Sequence, residues 1–311
     1  MIEPMKAVLT DKAFSDSNWV FEPKLDGVRC LADRKGDAVE LVSRTGRRMN
    51  SSYPEVVEGL EAEDCRDFLV DGEIVAFEHG VSSFSRLQRR MQISDPKAAR
   101  ATGVAVYLYV FDILRLDGRD TRDLPLRKRK VELRRALSFH GPVRFVRHRN
   151  EHGERFFKEA CQRGLEGLIA KRADSTYRST RSRDWLKLKC TAEQELVIGG
   201  FTAPKGSRTD FGALLVGYYQ DGKLSYAGKV GTGFDHRTLA TLGETLRELE
   251  QDLPPFVDVH PIPRSTRWVR PELVAEVGFT EWTRDGRLRH PRYLGLRDDK
   301  TAREVVRERP R

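Results

Sequence analysis

The stretch Trp19-Val20-Phe21-Glu22-Pro23-Lys24-Leu25-Asp26-Gly27-Val28-Arg29 decides how the rest of the chain is read. Trp19 to Glu22 has the aromatic and β-branched composition of a short strand, and Asp26-Gly27 is a turn signal. Lys24 therefore stands at a strand end beside a turn, where a lysine is either solvated or a nucleophile. At its ordinary pKa of ~10.4 only about one such lysine in a thousand is neutral near neutral pH, so nucleophilic use needs neighbouring groups that free the amine. A lone K-x-D-G occurs easily by chance, and the weight of this one depends on what surrounds it.

Working outward, Val28–Ala32 and Val39–Ser43 read as a strand pair turned by Lys35-Gly36-Asp37. Phe68–Phe77 is a further strand and Ala105–Leu114 a buried one. Phe84–Met91, Leu126–Leu137 and Phe156–Arg163 have helical spacing, the last ended by Gly164. Leu168–Lys171 and Trp185–Lys189 are strands, and the second alternates cleanly. Period two puts Trp185, Lys187 and Lys189 on one face, with Leu186 and Leu188 toward the core. After Cys190 short strand-like segments, Leu196–Phe201, Ala213–Tyr219, Leu224–Val230 and Ala275–Trp282, surround one helix at Thr238–Leu249. That pattern predicts a small β-barrel of the OB-fold type. The class is α+β, with domains over 1–189 and 196–311 joined by a hinge at 190–195. Arg303–Arg311 is expected to fray.

The 311 residues suit two domains. The longest apolar run, Val104–Phe111, is far short of the ~20 residues of a membrane helix, so no membrane association is expected. Met1-Ile2-Glu3-Pro4 does not open a secretory signal, and a cytoplasmic protein is expected. Net charge is +9, divided as +8 on residues 1–189 and +1 on 190–311. A polyanionic partner would thus meet mainly the first part. Cys30, Cys65, Cys161 and Cys190 form no C-x-x-C pattern and are expected as reduced thiols.

The remaining candidates for chemistry follow Lys24 in order. Ser43-Arg44-Thr45-Gly46 offers an arginine at a turn, suited to a phosphate. Asp71-Gly72-Glu73-Ile74 puts acids in an apolar strand, and Val106–Asp112 supplies aromatics able to stack on a base. Glu166-Gly167-Leu168-Ile169-Ala170-Lys171 adds an acid and a lysine, and Trp185-Leu186-Lys187-Leu188-Lys189 two more lysines.

This ordered set resembles the covalent nucleotidyltransferases: ATP-dependent DNA ligases, RNA ligases and mRNA capping enzymes. K-x-D-G is similar to motif I, S-R-T-G to Ia, D-G-E-I to III, Y-V-F-D to IIIa, E-G-L-I-A-K to IV, L-K-L-K to V, and Arg297-Asp298-Asp299-Lys300 to VI. The resemblance runs over residues 24–300 and is nearest to the ligase domain of bacterial ligase D enzymes. Val197–Phe201, Lys205-Gly206-Ser207-Arg208, Phe211–Leu215, Gly228–Gly233 and Arg289–Leu296 carry that nearer match. It implies a nucleotidyltransferase domain of ATP-grasp-like antiparallel sheets with helices, followed by the OB-fold domain.

The implied activity is sealing of 5′-phosphate/3′-hydroxyl nicks or ends in duplex DNA, with ATP and Mg2+ (or Mn2+), in double-strand break repair. Lys24 would carry AMP, with Asp26 orienting it or contributing to the metal environment. Arg29 and Glu73 would hold the ribose, Phe111 would stack on adenine, and Glu22 and Lys171 would lie at the nucleotide. Glu73 and Glu166 would serve the metal. Lys187 and Lys189 would neutralise the α-phosphate, Arg44 would grip the 5′-phosphate of the break, and Arg297 and Lys300 would orient pyrophosphate. The implied partners are nicked or broken duplex DNA and a Ku-like end-binding protein, with the chain a monomer. Only 23 residues precede Lys24, so the helical DNA-binding domain of longer ligases is not expected in this chain.

Two other readings stay open on sequence: an RNA ligase or GTP-using capping enzyme, and a non-catalytic nucleic-acid-binding protein. Individual residues also have plain structural readings. Asp71 can be a turn residue and Asp112 a structural pair. The four tryptophans can be packing residues. The run Arg127–Lys130 with Arg134-Arg135 can be a solvated helix face or a DNA track, and Arg86, Arg89 and Arg90 are expected to touch DNA.

Overall fold

The computed structural model describes residues 2–308 apart from 92, 205, 207 and 260–264. Lys205 and Ser207 of the K-G-S-R stretch thus lie outside the described residues. Two compact units divide between Cys190 and Thr191.

The first unit runs through β1 Lys6–Leu9, β2 Trp19–Lys24, β3 Val28–Lys35, β4 Ala38–Ser43, α1 Pro54–Glu61 and β5 Asp67–Val75. A small hairpin follows, β6 Phe77–Glu78 and β7 Val81–Ser82, and then α2 Phe84–Gln88 and α3 Pro96–Ala101. Next come β8 Tyr107–Leu116, β9 Arg119–Asp120, α4 Leu126–Ala136, β10 Val143–Phe145, β11 Arg149–Asn150, α5 Gly153–Gln162, β12 Gly167–Arg172 and β13 Arg181–Lys189. They build two sheets. One has the order β1-β13-β12-β2-β11, the other β10-β8-β5-β3-β4 with β9 beside β8.

Alternation explains how each sheet is covered. In the first sheet Trp19, Phe21, Leu168, Ala170 and Leu188 turn to one side and bury Phe156 and Ala160 of α5. In the second, Val28, Cys30, Ala32, Val70, Ile74, Leu108 and Val110 pack on α1 and α2 through Val56, Leu60, Phe84 and Leu87. Its opposite face contributes Leu31, Leu69, Phe111 and Leu114 to a cluster that also holds Met5, Tyr177 and Trp185 of β13. The two sheets therefore meet through Phe111 and Trp185. Each fully buried large side chain contributes roughly 1.5–3 kcal/mol of transfer free energy there.

The second unit comprises β14 Ala192–Thr202, β15 Leu214–Gln220, β16 Lys223–Val230, α6 His236–Glu248, β17 Glu250–Gln251, β18 Thr266–Val269, β19 Val274–Phe279, β20 Glu281–Trp282, β21 Leu288–Arg289 and β22 Arg292–Leu296. Its main sheet is antiparallel. β14 pairs with β19 over its first half and with β15 and β18 over its second. The Asp235 carboxylate accepts from Thr238 N at 2.7 Å and starts α6, whose Leu239, Leu242 and Leu246 close the core. This is the layout expected of an OB-fold. Among the described residues no pairing joins β16 to β22, so the ladder is not closed there.

Four expectations need correction. Cys161 and Cys190 form a disulfide with Cα atoms 5.3 Å apart, while Cys30 and Cys65 are free. The end of α5 and the end of β13 are brought side by side because α5 lies across the β12–β13 hairpin. Residues 192–195, read as hinge, are already strand, paired with β19 from Ala192↔Phe279 onward. Residues 303–308 are tied down: Tyr219 N donates to Val305 O at 2.7 Å and Glu308 N to Gln194 Oε1 at 2.9 Å. The remaining 309–311 lie outside the described residues. Finally, the basic run on α4 is neither wholly solvated nor wholly available to DNA. Arg129 and Lys130 are buried, whereas Arg127, Lys128, Arg134 and Arg135 are exposed.

Candidate active site

Three strands of the first sheet hold the site in register. Lys24, Gly167 and Lys189 are cross-strand neighbours, and so are Glu22, Ile169 and Lys187, and then Val20, Lys171 and Trp185. All lie on the face opposite α5, because side chains alternate along a strand. The apolar residues that anchor the sheet thus aim the charged ones toward the second sheet.

Lys24 Nζ makes an ion pair with Glu166 Oε1, and Lys189 Nζ stands 4.0 Å from the same oxygen. Gly167 makes this possible. It has φ +152°, and a Cβ there would meet Leu188 O at 1.9 Å. Only glycine lets β12 approach β13 this closely while delivering Glu166 beside Lys24. Asp26 fixes the turn that follows. Its Oδ2 accepts from Phe84 N at 2.9 Å and its own N–H donates to Ser82 Oγ at 3.0 Å.

Arg29 on β3 is clamped. Its Nε and Nη2 donate to Asp71 Oδ1 and Oδ2 at 2.5 and 2.6 Å, and Nη2 also to Met5 O at 3.2 Å. The guanidinium lies 4.7 Å from the Phe111 ring centre and 5.5 Å from that of Trp185. Burial opposes its charge, but Asp71 outweighs burial and holds the Arg29 pKa above its ordinary value. Asp71, read as a turn residue, is instead a fully buried strand residue. Glu73 is in register with Arg29 and with Tyr109. Phe111 sits where the pairing of β5 and β8 slips between Asp71 and Gly72. Such a bulge re-aims a side chain, here into the layer shared with Trp185, edge-on at 6.0 Å.

Beneath Phe111 lies a cluster of charge. Glu22 is 2% exposed. Its carboxylate is shared between Lys130 and Lys171, the latter at 2.8 Å. Lys130 also donates to Phe111 O at 3.1 Å, and Lys171 Nζ is 4.0 Å from both the Phe111 and Trp185 ring centres. Burial raises the Glu22 pKa, but the two ammonium groups overcome it and leave it below its usual value. Burial first, then Lys130, push Lys171 down to about 8 against the pull of Glu22. Glu22 and Lys171 are therefore paired with each other beneath the Phe111 ring.

The other expected residues are placed as follows. Lys187 is half-buried on β13, level with Ile169 and Leu9. Arg44 projects from a tight loop in which Gly46 N donates to Ser43 O and Arg47 N to Ser43 Oγ, both at 3.0 Å. In the second unit Arg297 is held bidentately by Asp299 at 2.8 and 2.9 Å and reaches Glu276 at 3.2 Å. Lys300 pairs with Glu195 at 2.9 Å. Arg90 is not a DNA contact: it is 1% exposed, bound to Ser52 O, Val104 O and Glu55. Asp112 is the structural pair expected, both it and Arg129 being fully buried. Sequence reasoning missed Lys130, hidden in a charge run, and Tyr177, which carried no motif signal.

Among the described residues no three His, Cys, Asp or Glu side chains gather into a preformed metal cage. Glu73 and Glu166 fit an ion of the magnesium type, which takes one or two carboxylates and completes its shell with substrate phosphates and water. As a whole the sheet face presents Lys24 with a partner carboxylate and two further lysines, and the second sheet adds Phe111 and Arg29.

The family described as ATP dependent DNA ligase domain matches residues 4–189, and the ATP dependent DNA ligase C terminal region matches residues 207–300. The chain is 38% identical over 300 residues to the multifunctional non-homologous end joining protein LigD of Pseudomonas aeruginosa, covering 94% of this chain and 35% of that protein. It is 41% identical over 304 residues to the LigD of Mycobacterium tuberculosis, covering 94% and 38%. The chain thus spans somewhat over a third of these relatives' length. A solved structure, mycobacterial DNA ligase D complexed with ATP and MES, is 37% identical with a TM-score of 0.69, covering 99% of this chain and 98% of that one. The two units are accordingly the nucleotidyltransferase and OB-fold domains expected from sequence. The matched families, the relatives and the motif residues gathered around Lys24 agree: the chain belongs to the ATP-dependent DNA ligase family.

Proposed function

We propose that Lys24 is the residue that carries AMP and that this chain seals 5′-phosphate/3′-hydroxyl breaks in duplex DNA during double-strand break repair. The observation that carries this reading is the Lys24–Glu166–Lys189 set on one sheet face. In the first step the Lys24 amine attacks the α-phosphorus of ATP. A nitrogen–phosphorus bond forms, the bond to pyrophosphate breaks, and the lysine proton is lost with Glu166 the adjacent carboxylate. AMP then passes to the 5′-phosphate of the break, and the 3′-hydroxyl displaces it. Glu73 and Glu166 would hold a magnesium ion, which would lower the cost of charge on the phosphates.

Lys187 and Lys189 neutralise charge that grows on the α-phosphate. Arg29 and Glu73 hold the ribose, Phe111 takes the base, and Glu22 with Lys171 supports that pocket from below. Arg44 meets the 5′-phosphate. Arg297 and Lys300 orient pyrophosphate, which requires them to exchange Asp299, Glu276 and Glu195 for the phosphate. The domain boundary falls at 189–196. With Cys190 tied to Cys161 and β14 starting at Ala192, the pivot narrows to Thr191. The partner is nicked or broken duplex DNA, and a Ku-like end-binding protein fits the similarity to end-joining proteins. No helix of the described residues is long and apolar enough to cross a membrane. We place the chain in the bacterial cytosol as a monomer.

The test is sealing of nicked duplexes with DNA or RNA strands, supplied with ATP or GTP. The expected result is ATP-driven sealing of DNA, abolished in Lys24→Ala with the melting temperature unchanged. GTP-driven sealing, or sealing of unadenylated nicks by Lys24→Ala at the wild-type rate, would refute the assignment.

A further inference from the structure

We propose that Tyr177 is a positioning residue for the nucleotide: through Asp71 it holds the guanidinium of Arg29 in the orientation in which Arg29 meets the ribose. The proposal rests on the reading of Arg29 given above. Tyr177 lies in the loop between β12 and β13, outside the seven motifs, and is 5% exposed.

Four groups form a closed circuit there. Met5 N donates to the Tyr177 hydroxyl at 2.9 Å, and the hydroxyl donates to Asp71 Oδ2 at 2.6 Å. Asp71 accepts both edge hydrogens of Arg29, and Arg29 Nη2 returns to Met5 O at 3.2 Å. The directions are forced. A backbone N–H can only donate, so Met5 occupies a lone pair of the hydroxyl and leaves its proton for Asp71. A fully buried carboxylate facing one guanidinium has more acceptor capacity than that partner fills, and the phenol supplies a further donor. Hydrogen bonds joined in a ring at low dielectric reinforce each other.

Aromatic contacts complete the hold. The Tyr177 ring stands edge-on to Trp185 at 5.8 Å. Trp185 and Phe111 in turn flank the Arg29 guanidinium. Removing the hydroxyl alone leaves the Met5 N–H buried and unpaired and Asp71 one donor short. Arg29 then keeps its charge and its salt bridge but loses its fixed plane. A positioning role therefore predicts loss of nucleotide affinity rather than loss of the chemical step.

The experiment is single-turnover formation of the lysyl-AMP adduct over a range of ATP concentrations, with wild type, Tyr177→Phe, Arg29→Ala and the double variant. Tyr177→Phe is expected to weaken half-saturation by ATP about tenfold, the scale of one hydrogen bond to a charged group, with the maximal rate within about threefold. Arg29→Ala should weaken it at least as much, and the double variant no more than Arg29→Ala alone, because the tyrosine acts through the arginine. A folded Tyr177→Phe with wild-type half-saturation, or penalties that multiply in the double variant, would overturn the proposal while leaving the Arg29 reading intact. Arg29→Ala with wild-type half-saturation would overturn that reading and this proposal with it. If Tyr177→Phe melts early, Asp71→Asn, which retains the phenol, carries the same prediction.

Discussion

Glu22, two residues before Lys24, shows how a single side chain can be read in its type and missed in its setting. That it would lie near Lys24 was legible from its place two residues before the K-x-D-G. That it neutralises two buried lysines was not, because Lys130 comes from a helix more than a hundred positions away. The same holds for Tyr177 and Asp71, whose pairing spans 106 positions. Lys24 and Lys189 were legible because each ends a strand, and Glu166 because it stands directly before one. Glu22→Gln leaves two ammonium groups buried side by side and should destabilise the protein by about 3–5 kcal/mol in urea unfolding at pH 7. The Glu22 carboxyl titrates below its usual 4.5. Its stabilisation is therefore complete above about pH 4.5 and is lost as pH falls through the lower folded value. The gap between wild type and Glu22→Gln should narrow in the same experiment at about pH 3. A gap independent of pH would contradict the pairing. Lys171 is shifted in the same direction, down to about 8, but there burial works against the charged form. Between that value and its unfolded value near ~10.4 the unfolded chain binds more protons, so this lysine makes stability rise with pH there.

At the scale of elements, β2, β3, β4, β5, β8, β12 and β13 and the helices α4, α5 and α6 follow the periodicities of the sequence within a few residues, whereas β1, β9, β10 and β11 did not stand out. α1 and α3 were not legible: each is short and opens on a proline, at Pro54 and Pro96, which local pattern reads equally as loop. Phe84–Met91 read as one helix, but α2 stops at Gln88, and Arg90 turns inward to bind the carbonyls of Ser52 and Val104. The disulfide was illegible for a different reason. Cys161 and Cys190 are 29 positions apart, and only the packing of α5 over β12 and β13 brings them together. Closing a loop of that length stabilises by about 3.6 kcal/mol in the chain-entropy account. The loop contains Glu166, Lys187 and Lys189. Reduction with dithiothreitol, or Cys161→Ser, should lower the melting temperature of the protein by roughly 5–10 °C. A melt identical with and without reductant would show that the link adds nothing to stability.

For the whole molecule, the basic excess resolves into two populations. Arg29, Arg90, Arg129, Lys130 and Lys171 are satisfied by carboxylates or carbonyls inside the first unit. They are part of its core together with Asp71, Glu55, Asp112 and Glu22, so five cations and four carboxylates are set aside and the +8 on residues 1–189 falls by only one. Arg127, Lys128, Arg134, Arg135 and Arg89 remain on the surface. In the function proposed, Arg297 and Lys300 on the second unit would act on pyrophosphate and then give way to DNA. The central claim is that Lys24 carries the nucleotide, and peptide mass spectrometry after incubation with ATP and magnesium tests it most directly. The account predicts one added AMP on the peptide bearing Lys24, removed when pyrophosphate is supplied. AMP on any other residue, or its persistence at Lys24 under excess pyrophosphate, would contradict it.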